Sequence, residues 1–139
     1  MTVNISETSH SMTLQYVHWF RHSAPYINAH RNKTFVIMFD GEAVQHDNFQ
    51  HIIHDIALLH SLGIRLVLVH GARPQISQNL KINNIETPFH NNKRITTRES
   101  LNAIMNAVGS IRLQIKALLS MGLANSPMYG ASIAVVSGN

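Results

Sequence analysis

Residues 34–74, TFVIMFDGEAVQHDNFQHIIHDIALLHSLGIRLVLVHGARP, decide the fold. The run TFVIMF (34–39) is short, β-branched and aromatic, and it stops at Asp40-Gly41. A continuous apolar run of that length reads as a strand buried on both faces, the habit of parallel sheets. A second such run, IRLVLV (64–69), stops at His70-Gly71-Ala72-Arg73-Pro74. Between them Phe49, Ile52, Ile53, Ile56, Leu59 and Leu62 recur at helical spacing, which predicts a helix over 47–62 with Gly63 at its C′ position. Pro74 suits the first residue of a helix running to Lys81. Strand, helix, strand, helix with short connections is a right-handed βαβ unit in a three-layer α/β architecture.

Working outward, residues 1–11 read as a flexible arm. Leu14, Val17, Phe20, Ala24 and Ile27 then mark one stripe of a helix. Pro25 interrupts it, predicting a helix to His22, a kink, and a short piece to Ala29. Residues 87–97 read as an antiparallel excursion around Asn91-Asn92. A long helix over 97–121 carries Leu101, Ile104, Val108, Ile111, Ile115 and Leu118. Thr97 with Ser100 can cap its start, and Glu99 suits its first turn. Ala131 to Val136 reads as a further strand, after which the chain stops at Asn139. On this reading residues 32–139 are the first part of a larger α/β domain, preceded by the arm (1–11) and the kinked helix (12–31).

Composition narrows the functional classes. The 139 residues are 45% hydrophobic and 13% charged, so the chain folds rather than staying disordered. There is no cysteine, which excludes disulfide staples, thiolate metal sites and a cysteine nucleophile. No apolar run is long enough to span a bilayer and no signal pattern opens the chain, so a cytoplasmic protein without membrane contact is expected. The net charge is +4, but the basic residues are scattered, and nucleic-acid binding is not expected. Of ten histidines, His18 and His22 are four apart and His51 and His54 three apart. With no HExxH and no carboxylate or thiol completing either set, no metal site is assigned.

Two loops, Asp40-Gly41-Glu42 and His70-Gly71-Ala72-Arg73, follow the strands, where open α/β sheets bind ligands. The second opens a helix, whose free N–H groups and dipole favour an anion. No Walker, GxGxxG or GxSxG motif is present. Taken with NKRITTRESL (92–101) and VVSGN (135–139), these segments resemble the amino-acid kinase family. Within it they are similar to the N-terminal domains of the bacterial N-acetylglutamate synthases.

The resemblance implies the N-terminal part of a carbamate kinase-like αβα sandwich. It implies a parent enzyme whose separate acetyltransferase domain, absent from these residues, joins acetyl-CoA and glutamate in the first step of arginine biosynthesis. It implies L-arginine as feedback inhibitor, and no cofactor in this chain. By the same resemblance, kinases of the family carry a strand lysine and a glycine pair where this sequence has Met38 and Asp40-Gly41. Losing that cation weakens stabilisation of a transferring phosphoryl group, and Asp40 adds negative charge beside it. Arg73 replaces a glycine, crowding the turn while returning a positive charge. His70, Gly71, Ala72 and Arg73 together with Met38, Asp40 and Gly41 thus read as a degenerate kinase site without catalytic residues.

Arg94 matches a family arginine that holds a substrate carboxylate, though a solvated hairpin arginine fits equally. Tyr26 matches a tyrosine that helps close the arginine pocket, and ordinary packing remains open. In arginine-sensitive members the N-terminal helix links subunits into hexamers, so Leu14, Val17, Phe20 and Ala24 are candidate oligomerisation residues, unless that face packs on its own domain. The alternatives are an acetylglutamate kinase-like enzyme phosphorylating an acylamino acid with ATP, and a non-catalytic arginine-sensing or assembly module.

Overall fold

A computed structural model describes residues 5–121 and 133–138. Helix α1 (Ile5–His30) leads into strand β1 (Thr34–Phe39). The short α2 (Gly41–Gln45) and α3 (Phe49–Ser61) carry the chain over to β2 (Arg65–His70). Helix α4 (Arg73–Ile82), the two-residue strands β3 (Phe89–His90) and β4 (Lys93–Arg94), and α5 (Arg98–Ser120) follow. The α/β class with parallel pairing therefore holds. β1 and β2 run parallel in the register Thr34↔Arg65 to Phe39↔His70.

Turn chemistry explains why the elements stop where they do. Gly63 (φ 87°) follows α3, its N–H donating to His60 O at 2.9 Å and Ile64 N–H to Leu59 O at 3.2 Å. That is a Schellman close, and it needs a residue that tolerates positive φ. Asn84 (φ 54°) does the same after α4, with Ile85 N–H donating to Leu80 O. Asn91 and Asn92, both at positive φ, make the two-residue hairpin turn between β3 and β4. Thr97 and Ser100 form a reciprocal capping box at the start of α5.

The core lies on one side of the strands. Val44, Phe49, Ile53, Ile56 and Ala57 meet Ile111, Ile115 and Leu119, with Ile37, Phe39, Leu66 and Leu68 packed from the sheet. Phe39 and Phe49 stack edge to face at 5.5 Å. The other face differs from the expectation of strands buried on both sides. Val36 (67% exposed), Met38 (79%), Val67 and Val69 are open to solvent, because among the described residues the helices that pack on the strands lie on the opposite face.

Other boundaries also moved. α1 begins at Ile5, so residues 5–11 are helical rather than an arm; with no glycine or proline there, an established helix propagates through them. It continues as one helix through Pro25, whose missing N–H removes a single backbone bond without ending it. The last expected strand fell partly on residues 131 and 132, outside the described residues. Residues 133–138 carry no regular secondary structure and no strand pairing, yet Ile133 and Val135 pack against the core from alternate positions.

The buried ridge of α5 is Ser100, Ala103, Ala107, Ile111, Ile115 and Leu119, not the stripe of large residues read from the sequence. Only Ile111 and Ile115 belong to both. Small residues face α4 so that the two backbones approach closely, and Asn79 Nδ2 donates to Ala103 O at 2.8 Å across that contact. Ala103→Leu should therefore cost about 1–3 kcal/mol by overpacking. Leu101→Ala, at an exposed position, should stay within roughly 0.5 kcal/mol. Urea midpoints of the two variants test which ridge is buried.

Candidate functional site

The parallel register brings the carboxyl ends of β1 and β2 level, so the two glycine turns lie side by side. Gly71 N–H donates to Phe39 O at 2.9 Å, extending the ladder one residue past the strands. A Cβ on Gly71 would lie 3.0 Å from Gly41 N and 3.2 Å from Asp40 Cα. A Cβ on Gly41 would meet Gln75 Oε1 at 2.5 Å and Pro74 Cδ at 2.7 Å. Gly71 is thus held small by the backbone of the first turn, and Gly41 by the side chains of Pro74 and Gln75. What approaches them is the chain itself. Gln75 Nε2 donates to Gly41 O at 2.7 Å, and Gln75 Oε1 is buried without a hydrogen-bond partner among the described residues.

The named residues divide into three groups. Asp40 is an N-cap: its carboxylate accepts from Ala43 N–H at 2.9 Å and starts α2. Its charge stays at the turn, and with Glu42 it borders a hollow of about 300 Å³ floored by Phe49 and Ile52. At the second turn Ala72 is the cap residue of α4 and provides no side-chain cap. Pro74, in the first turn of α4, removes one N–H donor that an anion would use. His70 is half-buried beside Gly71 O. Met38 points from the open face, carrying a thioether in place of any cation.

The two arginines turn to the hairpin. Arg73 leaves its turn and donates from Nη2 to Asn92 O at 3.1 Å. Its bulk does not fill the space between the turns; Gln75 and Pro74 do, of which the sequence reading named only Pro74, as a helix start. Arg94 donates to Thr87 Oγ1 at 2.6 Å and Ser77 Oγ at 2.8 Å, with its guanidinium carbon 4.8 Å from the centroid of the Phe89 ring. Its fork clamps β3 and β4 to α4.

Far along the chain, Leu14 (57% exposed), Val17, Phe20 and Tyr26 all stand open to solvent, as does Ala24. The apolar face of α1 does not pack on its own domain among the described residues. Tyr26 O accepts from His30 Nδ1 at 2.8 Å within the helix. A larger cleft, about 780 Å³, runs beside β2, between Leu66, Leu68, Val108, Arg112, Ile133 and Val135. No helix among the described residues is long and apolar enough to cross a membrane, and no group of three or more metal-type ligands occurs among them.

Comparison with known proteins places this geometry. The amino acid kinase family model matches residues 33–139. Amino-acid acetyltransferases are similar throughout. That of Azotobacter vinelandii is 56% identical over 124 residues, covering 89% of this chain and 29% of the relative. That of Serratia proteamaculans is 57% identical over 123 residues, covering 88% of this chain and 28% of the relative.

Among solved structures, N-acetylglutamate synthase from Neisseria gonorrhoeae complexed with coenzyme A and L-arginine superposes with TM-score 0.72 at 32% identity. That match covers 89% of this chain and 29% of that one. The same enzyme complexed with coenzyme A and N-acetyl-glutamate gives TM-score 0.65 at 32% identity, covering 78% and 26%. The chain thus spans under a third of the length of these relatives. The resemblance read from the residues is borne out.

The close approach of the turns makes a direct prediction. Gly41→Ala should destabilise by about 1–3 kcal/mol, since Pro74 and Gln75 must move. Gly109→Ala, mid-α5 with nothing within 4 Å of the new Cβ, should stabilise by roughly 0.5–1 kcal/mol through helix propensity. Thermal melts of both variants check the pair of opposite signs.

Proposed function

The chain belongs to the amino acid kinase family, and on that premise we propose that it is the N-terminal, non-catalytic part of an N-acetylglutamate synthase. The parent enzyme would transfer acetyl from acetyl-CoA to L-glutamate, the first step of arginine biosynthesis, using the part of the relatives that this chain does not span. Its own role would be assembly and arginine-dependent regulation.

The observation that carries this reading is the filled space between the glycine turns. Phosphoryl transfer works by cations and N–H donors ranged around the phosphates. Here Pro74 lacks its donor, Gln75 caps Gly41 O, Met38 supplies no charge, and Asp40 with Glu42 adds two negative charges. Arg73 and Arg94 hold the hairpin. A kinase of acylamino acids would need all of these arranged otherwise. Similarity to acetyltransferases over nine-tenths of the chain supports the synthase branch.

The regulatory half of the proposal rests on α1. Its exposed row Leu14, Val17 and Phe20 is an apolar face that a helix does not leave in water in its working assembly. We assign it to contact with a second copy, by analogy with arginine-sensitive members of the family. Tyr26 is offered as one wall of an arginine site, where a phenol ring would stack on the guanidinium. One relative is known with L-arginine bound. A purely arginine-sensing or assembly module without an acetyltransferase partner would share these features.

Three measurements test the reading on this chain. It should show no turnover with acetyl-CoA and glutamate, and any turnover would refute the assignment of chemistry to the unspanned part. Met38→Lys should restore no ATP-dependent phosphorylation of N-acetylglutamate; restored activity would favour the kinase. Val17→Asp with Phe20→Asp should shift sedimentation to a smaller species without changing the far-ultraviolet signal. Unchanged sedimentation would remove α1 from assembly.

A further inference from the structure

We propose that His18 and His22 of α1 form a two-imidazole chelate for a divalent transition-metal ion, with Cu²⁺ and Ni²⁺ the fitting chemistry. The two residues are four apart, so one helical face presents both rings. Their Nε2 atoms converge to 3.0 Å, with ring centroids 4.2 Å apart and planes tilted by 49°. Both side chains are exposed, so an ion reaches them without opening the fold.

The close approach suits two neighbouring ligands of one ion. Two nitrogens each about 2.05 Å from one ion and 3.0 Å apart subtend an angle of about 94°. That is the angle between neighbouring ligands of a square-planar or octahedral ion, the geometries of Cu²⁺ and Ni²⁺. A tetrahedral Zn²⁺ would want the nitrogens roughly 3.3 Å apart. The order of divalent affinities points the same way, with Cu²⁺ highest. At rest one Nε2–H donates to the other Nε2. Binding moves that proton to Nδ1 of its own ring, leaving both Nε2 lone pairs on the metal and both imidazoles neutral. Water completes the coordination.

The other close pair lacks this arrangement. His51 and His54 are three apart, with centroids 6.2 Å apart and planes near perpendicular at 79°, and no hydrogen bond joins their nitrogens. They serve as the internal control.

The test is titration of the untagged 139-residue chain with CuCl₂ or NiCl₂ near neutral pH, followed by calorimetry, with electron paramagnetic resonance of the Cu²⁺ form. We expect one tight ion per chain and a signal from two equatorial imidazole nitrogens. His18→Ala and His22→Ala should each weaken that step by at least roughly tenfold, because the second ring no longer binds intramolecularly. The double variant should be no worse than either single one. His51→Ala and His54→Ala should leave it unchanged. His18→Gln and His22→Gln, which keep helix-forming side chains, repeat the measurement should an alanine variant misfold. Unchanged wild-type affinity in the His18 or His22 variants, a single-nitrogen signal, or dependence on His51 and His54 would overturn the site.

Discussion

Everything at the carboxyl edge of this sheet depends on how closely two backbones approach. Parallel strands in register deliver Asp40-Gly41 and Gly71-Ala72 to the same level, and only glycine leaves room for the turns to touch. In a nucleotide-binding version of such a site, that room admits phosphate oxygens to backbone N–H groups. Here the same room is taken by Pro74 and the Gln75 amide. Removing the cations from a phosphate site weakens it. With the space filled by the chain's own atoms, the glycines serve to bring β1 and α4 together.

That filling explains the fate of the charged residues. Asp40 is retained as the oxygen that starts α2, a task needing an acceptor and indifferent to phosphate. Arg73 and Arg94 reach the hairpin, where one binds the Asn92 carbonyl and the other ties Thr87, Ser77 and the Phe89 ring together. A guanidinium with five donors is well suited to such stitching, and the two together fix the hairpin over α4. Positive charge is therefore near the turns, but its donors are taken by backbone and hydroxyl oxygens.

The repeating signals were legible in the sequence. Continuous apolar runs located β1 and β2, Gly63 and Asn91-Asn92 located turns, and Thr97 with Ser100 located a cap, because each is local chemistry. Three things were not. The ridge of α5 was misjudged because size was read as burial, whereas a close helix contact selects Ser100, Ala103 and Ala107. Helix α2 was missed because its five residues carry no period, only the Asp40 cap. Gln75 was invisible as a site residue, since its part is set by a contact 34 positions away in the chain. Such contacts leave no trace in spacing.

The distribution of bare apolar surface carries the last step. Sheets with parallel strands are stable when both faces are covered, because their strands are apolar throughout. Here Ile37, Phe39, Leu66 and Leu68 are covered by α3 and α5, while Val36, Met38, Val67 and Val69 are not. The row Leu14, Val17 and Phe20 is bare too. Burying a side chain of this size contributes about 1.5–3 kcal/mol, and a folded domain holds only about 5–15 kcal/mol in all. Covering even a few of these side chains is therefore comparable to the whole stability of a domain. Whatever covers the open sheet face and the bare row of α1 would therefore contribute strongly to stability. On the proposed reading, a ligand or subunit that changes how those faces are covered would change the free energy of the assembly.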